Sequence, residues 1–201
     1  MSAIEWLLIV LAMTRFLAPI PGQSPPAPEK SPEAVLARFC KMDAEGERLT
    51  PEGWRKAADL FVRPAAASKE GAIFVIKSYF VNGPVTKGNK AEFFVEYLRW
   101  AELDSTGRLI PSVPHLPGAP ILVRAVYKAV ETKQWWEVAP DGKTLREASG
   151  DPQWRIETFQ PTQWITVDAA IRYVNDLHEK SKDPIIKQNA NRTLAVLRQL
   201  Q

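Results

Sequence analysis

GAIFVIKSYFVNGPVTKGNKAEFFVEYLRWAELD, residues 71–104, is the stretch whose reading decides the fold. It divides into two apolar segments, 72–81 and 90–104, joined by the turn-rich link Asn82-Gly83-Pro84-Val85-Thr86-Lys87-Gly88-Asn89. The first segment is rich in Ile, Phe, Val and Tyr, residue types that suit a pleated surface. Alternation places Ile73, Val75 and Tyr79 on one face and Phe74, Ile76 and Phe80 on the other. Two apolar faces imply a central strand. The second segment fits two templates. As a strand it sets Phe93, Val95 and Tyr97 against Glu92, Phe94 and Glu96. As a helix it gathers Phe93, Tyr97, Trp100 and Ala101 opposite Glu92, Glu96 and Arg99, with Asn89 and Glu92 in an N-cap arrangement. Periodicity leaves both open.

Helices are expected on either side of this segment. Ser31-Pro32-Glu33 combines an N-cap, Pro at the first helical position and an early acid. Val35, Leu36, Phe39 and Met42 follow at helical spacing, and Gly46 stops the helix. Thr50-Pro51-Glu52 starts a second helix with Trp54, Ala57, Ala58 and Phe61 as its stripe, ending at Pro64. Residues 105–120, with four prolines and two glycines, form a loop. Strands are expected over 121–132, over 134–138 paired with 143–146 across Pro140-Asp141-Gly142, and over 153–159. Thr166 caps a helix striped by Val167, Ala170, Ile171, Val174 and Leu177. Asp183-Pro184 opens a last helix carrying Ile186, Ala190, Leu194 and Leu197.

Residues 1–22 read as a signal peptide or an N-terminal anchor. The apolar run Trp6 to Met13 is too short to span a bilayer, and it is followed by Arg15 and then Pro21-Gly22-Gln23. Residues 23–30 form a Pro-rich linker, and 31–201 a single folded domain. A membrane contact would involve only residues 6–20. The net charge of +3 is spread along the chain with no basic run, so a nucleic-acid surface is not expected. One cysteine, Cys40, allows no internal disulfide and reads as a buried thiol. The two histidines, His115 and His178, lie far apart in sequence, so neither a metal site nor a cofactor is expected.

The order of elements resembles a known sheet. Asn89-Lys90-Ala91-Glu92-Phe93-Phe94-Val95-Glu96-Tyr97 leads through Leu103-Asp104 to Ile121-Leu122-Val123-Arg124-Ala125-Val126-Tyr127, and later to Trp154-Arg155-Ile156. This is similar to NTF2-like (cystatin-like, cone-shaped) proteins, especially uncharacterised exported bacterial ones. The likeness covers residues 31–160 and favours the strand reading of 90–104. The helical pair over 166–201 departs from it. The resulting expectation is an α+β fold: N-terminal helices packed on a curved antiparallel sheet, with a C-terminal helical pair.

Enzymes of that family carry an Asp or His base beside a Tyr donor inside the cone, and no Asp or His falls on an inward strand position here. No catalytic residue is therefore assigned. Tyr79, Tyr97 and Tyr127 pointing inward, together with Trp136 of the Trp135-Trp136 pair, are the candidate ligand contacts, and Glu96 reads as a solvated outer acid. The function this implies is a non-enzymatic exported module binding a small apolar ligand or a protein partner, with a homodimer among the partners. The alternatives are a cone-pocket isomerase or dehydratase and a membrane-tethered structural domain.

Overall fold

The computed structural model describes residues 31–65, 71–113, 119–139, 141, 143–158 and 160–201. The expectations for the N-terminal segment, the linker and His115 fall outside them. The described elements are α1 (Pro32–Ala44), a 3-10 turn (Glu47–Leu49), α2 (Pro51–Ala58), β1 (Ile73–Lys87), β2 (Lys90–Leu103), β3 (Leu109–Pro111), β4 (Ile121–Val138), β5 (Leu145–Ile156), β6 (Gln163–Thr166), α3 (Val167–Lys180) and α4 (Pro184–Gln199). The fold is α+β, with helices before and after an open sheet in the order β5-β4-β2-β1-β6, and β3 beside β2.

Each helix begins at the residue whose side chain can accept from its first free amides. Ser31 accepts from Ala34, Thr50 from Gly53, Thr166 from Ala169 and Asp183 from Ile185. The second helix ends at Ala58, earlier than Pro64, and Leu60, Phe61 and Val62 instead hydrogen-bond alongside Ile156 and Trp136.

Within segment 90–104, Lys90–Leu103 is a strand, paired antiparallel with β1 on one side and β4 on the other. Its buried residues recur with period two, at Ala91, Phe93, Val95 and Tyr97, as a strand between two neighbours requires. Several expected boundaries shift. β1 runs on through the supposed link to Lys87, so only Gly88-Asn89 turns. Residues 121–138 are one strand with an irregularity between Thr132 and Gln134, and residues 145–156 likewise form one partner strand. The four-residue β6 was too short for a periodic signal. It pairs parallel with Ile73 to Ile76, so the sheet is mixed where an antiparallel one was expected.

The main correction concerns faces. Lys77 in β1 and Trp100 in β2 are extra residues in the ladder: Val75 pairs with Ala101, Ile76 with Arg99, and Ser78 with Leu98. A bulge of this kind reverses side-chain parity beyond it. Tyr79 therefore joins Phe74, Ile76 and Val81 on the face covered by α1, here called the front, while Ile73 and Val75 point to the back. In β2, Phe93, Val95 and Tyr97 face front, whereas Ala101 and Leu103, of the same parity, face back.

The back residues meet Ile165, Val167, Ala170, Val174, Ala190, Leu194 and Leu197 beneath α3 and α4. The front core is Leu36, Phe39, Cys40, Trp54, Phe61, Ile76, Phe93, Val95, Tyr97, Tyr127, Ile156 and Trp164. Because both cores hang on β1 and β2, emptying one should loosen the other. Leu197→Ala is expected to cost about 2–5 kcal/mol, read by urea denaturation. Fluorescence of the front tryptophans and far-ultraviolet circular dichroism should shift to the same lower midpoint.

Candidate functional site

Three of the four residues singled out by the sequence come together. Tyr79 and Tyr97 are cross-strand partners on β1 and β2, with ring centroids 6.2 Å apart. Tyr127 enters from β4, and its hydroxyl lies 3.0 Å from that of Tyr97. Phe39 of α1 lies against Tyr127 at 5.6 Å, and Trp164 of β6 stacks on Tyr97 at 4.1 Å with an interplanar angle of 6°. Tyr97 and Tyr127 are 1% and 2% exposed. Burial holds both phenols well above their ordinary range, and raises Tyr79, which is less covered, to about 12. The tyrosines form a neutral, inward layer in which the hydroxyls of Tyr97 and Tyr127 are bonded to one another.

Trp136 lies elsewhere. It is nine residues beyond Tyr127 along β4, on the order of 30 Å of strand, and the Arg63 guanidinium covers its ring at 4.9 Å. Trp135 points to the opposite face and is buried against Arg155 at 4.2 Å, donating its N–H to Glu137 at 3.1 Å. Arg155, in the Trp154-Arg155-Ile156 motif, donates to the Asp59 carbonyl and to Gln153, which fastens the end of α2 to β5.

Sequence reasoning missed a buried ion pair. The Asp43–Arg48 side chains are 2% and 1% exposed, with Arg48 Nε donating to Asp43 Oδ1 at 2.9 Å. Arg48 Nη1 donates to the Gln160 carbonyl and Nη2 to the Thr162 carbonyl, at 2.9 and 2.6 Å. The second Asp43 oxygen accepts the Trp164 backbone N–H at 3.1 Å. The signal that could have found the pair is an Asp on the apolar stripe of α1, five residues before an Arg in a tight turn.

This strut ties α1 to β6 and sets Trp164 over Tyr97. Every oxygen of Asp43 and every nitrogen of Arg48 has a protein partner, an arrangement that rigidifies a core. Burial raises Asp43 to about 6 against the opposing pull of Arg48. The neighbouring Cys40 thiol is pushed up to about 12, first by burial and then by the Asp43 charge.

The back of the sheet is different. Beyond the part under α3 and α4, cross-strand rows alternate in character. Leu98 lies beside Leu122, Glu96 beside Arg124, Phe94 beside Val126 and Glu92 beside Lys128. Arg124 Nη2 donates to Glu96 at 2.6 Å, and Lys128 is 3.8 Å from Glu92. Leu122 is 59% and Val126 42% exposed. Glu96 is thus an outer-face acid, as its position in the strand implied. Among the described residues no three His, Cys, Asp or Glu side chains are grouped to hold a metal, and no helix is long and apolar enough to cross a membrane. No family model, curated protein or solved structure matches the chain.

Two outcomes test this geometry. Arg48→Met should cost about 3–5 kcal/mol at neutral pH by leaving a buried carboxylate unpaired. The folded-state pKa of Asp43 already exceeds its ordinary 3.8, and losing Arg48 raises it further. The folded protein then binds more protons than the unfolded chain, so stability rises as pH falls through this range. Relative to the parent, the penalty should shrink as pH falls toward about 6 in urea titrations and level off below it, where Asp43 of the parent takes up a proton as well. Separately, Tyr97→Phe and Tyr127→Phe should each cost about 1–2 kcal/mol. The double variant should cost little more than either one, since the shared hydrogen bond is lost once.

Proposed function

We propose that the chain is a non-enzymatic, exported binding module of NTF2-like outline, and that its partner is a protein held on the back of the sheet. The observation that carries the reading is the contrast between the two faces. On the front, the candidate tyrosines are covered by α1 and Trp164, and two of their hydroxyls are bonded to each other. On the back, Leu122 and Val126 stand in solvent beside half-buried Phe94 and Leu98. Apolar side chains grouped on an exposed surface mark contact sites.

A cone-pocket enzyme needs an acid or base that substrate can reach. The buried carboxylate of the front core among the described residues is Asp43, whose two oxygens are taken by Arg48 and by the Trp164 amide. Export is supported by the apolar run at 6–13 and the Pro-rich residues that follow it.

Native mass spectrometry of the full chain, purified gently from its host, tests the choice between protein and small ligand. The expected spectrum holds only polypeptide masses. A small apolar molecule retained reproducibly through purification would overturn the protein-binding reading in favour of a carrier.

A further inference from the structure

We infer that the partner on the back face is a second copy of this chain, docked sheet to sheet about a two-fold axis that runs along the strands between β2 and β4. This rests on the protein-binding reading above and names its partner. The argument comes from how charge is distributed over the two strands. In each mixed row the acid lies on β2 and the base on β4: Glu96 with Arg124, Glu92 with Lys128. The apolar rows share that register, Leu98 with Leu122 and Phe94 with Val126.

A two-fold axis parallel to the strands exchanges the β2 and β4 lanes and keeps each row opposite itself. Glu96 of one copy then faces Arg124 of the other, Glu92 faces Lys128, Leu98 faces Leu122, and Phe94 faces Val126. Such an interface is isologous, one patch matching itself. An axis across the strands would instead set Glu96 against Glu96 and Arg124 against Arg124, a repulsive pairing. The alternation of rows therefore selects one orientation, with the roughly −30° crossing natural to stacked twisted sheets. The apolar rows supply the attraction and the charged rows supply register.

Size sets the strength. The two exchanged strands, β2 and β4, about 4.8 Å apart over roughly seven residues of about 3.4 Å each, overlap by on the order of 200 Å². That falls short of the roughly 800 Å² per partner in standard stable complexes. The dimer should accordingly be weak and reversible. Both ion pairs are already made within one copy, so docking turns each two-charge pair into a four-charge cluster.

Sedimentation velocity of the full chain, from about 1 to 300 µM so as to reach weak, reversible association, provides the test. The expected mass rises from 22.6 kDa toward twice that value. Arg124→Glu and Glu96→Arg, each made alone, should weaken self-association at least about tenfold by setting like charges opposite one another. Mixed together, the two variants should associate with each other, because one presents only acids in that row and the other only bases. The double variant should dimerise like the parent chain. Leu122→Asp, at an exposed position, should melt within a few degrees of the parent yet stay monomeric, which separates lost docking from lost folding.

A parent chain that stays monomeric throughout, or single variants that dimerise as well as the parent, would overturn the inference. Either result would leave the protein-binding reading standing, since that reading fails only if a small molecule is retained. A double variant that fails to dimerise while folding normally would also overturn it, pointing to a different protein on this face.

Discussion

Two extra residues in one strand pair determine how the molecule is put together. Without Lys77 and Trp100, β1 would keep one parity from Ile73 to Asn82 and β2 from Phe94 to Leu103, and the buried side chains of that stretch would lie on one side of the sheet. With them, the sheet offers an apolar surface to the front over one half and to the back over the other. The chain needs both surfaces, because α1 and α2 arrive before the sheet and α3 and α4 after it. Neither pair buries its stripe unaided. These two register shifts cancel, so pairing runs in step from Ser78 to Asn82, before a further shift between Asn82 and Val85. The cost is a locally distorted ladder; the return is a second core.

The front layer is held by a polar device inside an apolar one. Arg48 bonds two carbonyls of the strand-approaching segment and one carboxylate oxygen, and it lies over the Phe39 ring at 4.8 Å. Replacing such a pair with well-packed hydrophobes is often neutral, while breaking one half is severe. What the pair contributes here is placement: α1 is set at one height over the sheet, and Trp164 falls flat on Tyr97. Trp164 Nε1 has no hydrogen-bond partner among the described residues, a desolvation cost the stacking offsets in part. The groove on the outer side of α1, lined by Arg38, Lys41, Met42, Glu45, Glu47 and Lys56, mixes charges of both signs on solvated side chains.

Much of this was legible in the sequence, and the reasons for the rest are physical. Caps were readable because a side-chain oxygen before a helix has one geometric job, and Ser31, Thr50, Thr166 and Asp183 all perform it. The α+β order was readable from the switch between periods of 3.6 and 2 except over 90–104, where both periods fitted and only the likeness to a known sheet favoured a strand. The faces of β1 were not, since a bulge leaves no mark in alternation: Ala91 to Leu103 keeps every second residue apolar across the reversal, apart from Arg99. β6 was invisible at four residues and is specified by its neighbours. The inward tyrosines could be named from alternation, but that their hydroxyls meet depends on the register of β2 against β4. Trp136 drew attention by composition alone, and nine residues of strand separate it from the layer it was grouped with.

The sealed thiol has a consequence for how the molecule ages and breathes. Cys40 is the chain's one cysteine and lies buried in the front core. Thiolates, not thiols, react with oxidants and alkylating reagents, and a thiol raised to about 12 supplies almost none. While α1 stays seated, an oxidising environment therefore finds nothing to cross-link. When the front layer opens, the group is released into water with its ordinary reactivity, so the pace at which the population acquires a covalent label follows the opening of that layer. The protein thus carries, in one sulfur atom, an internal clock for its own excursions from the closed state.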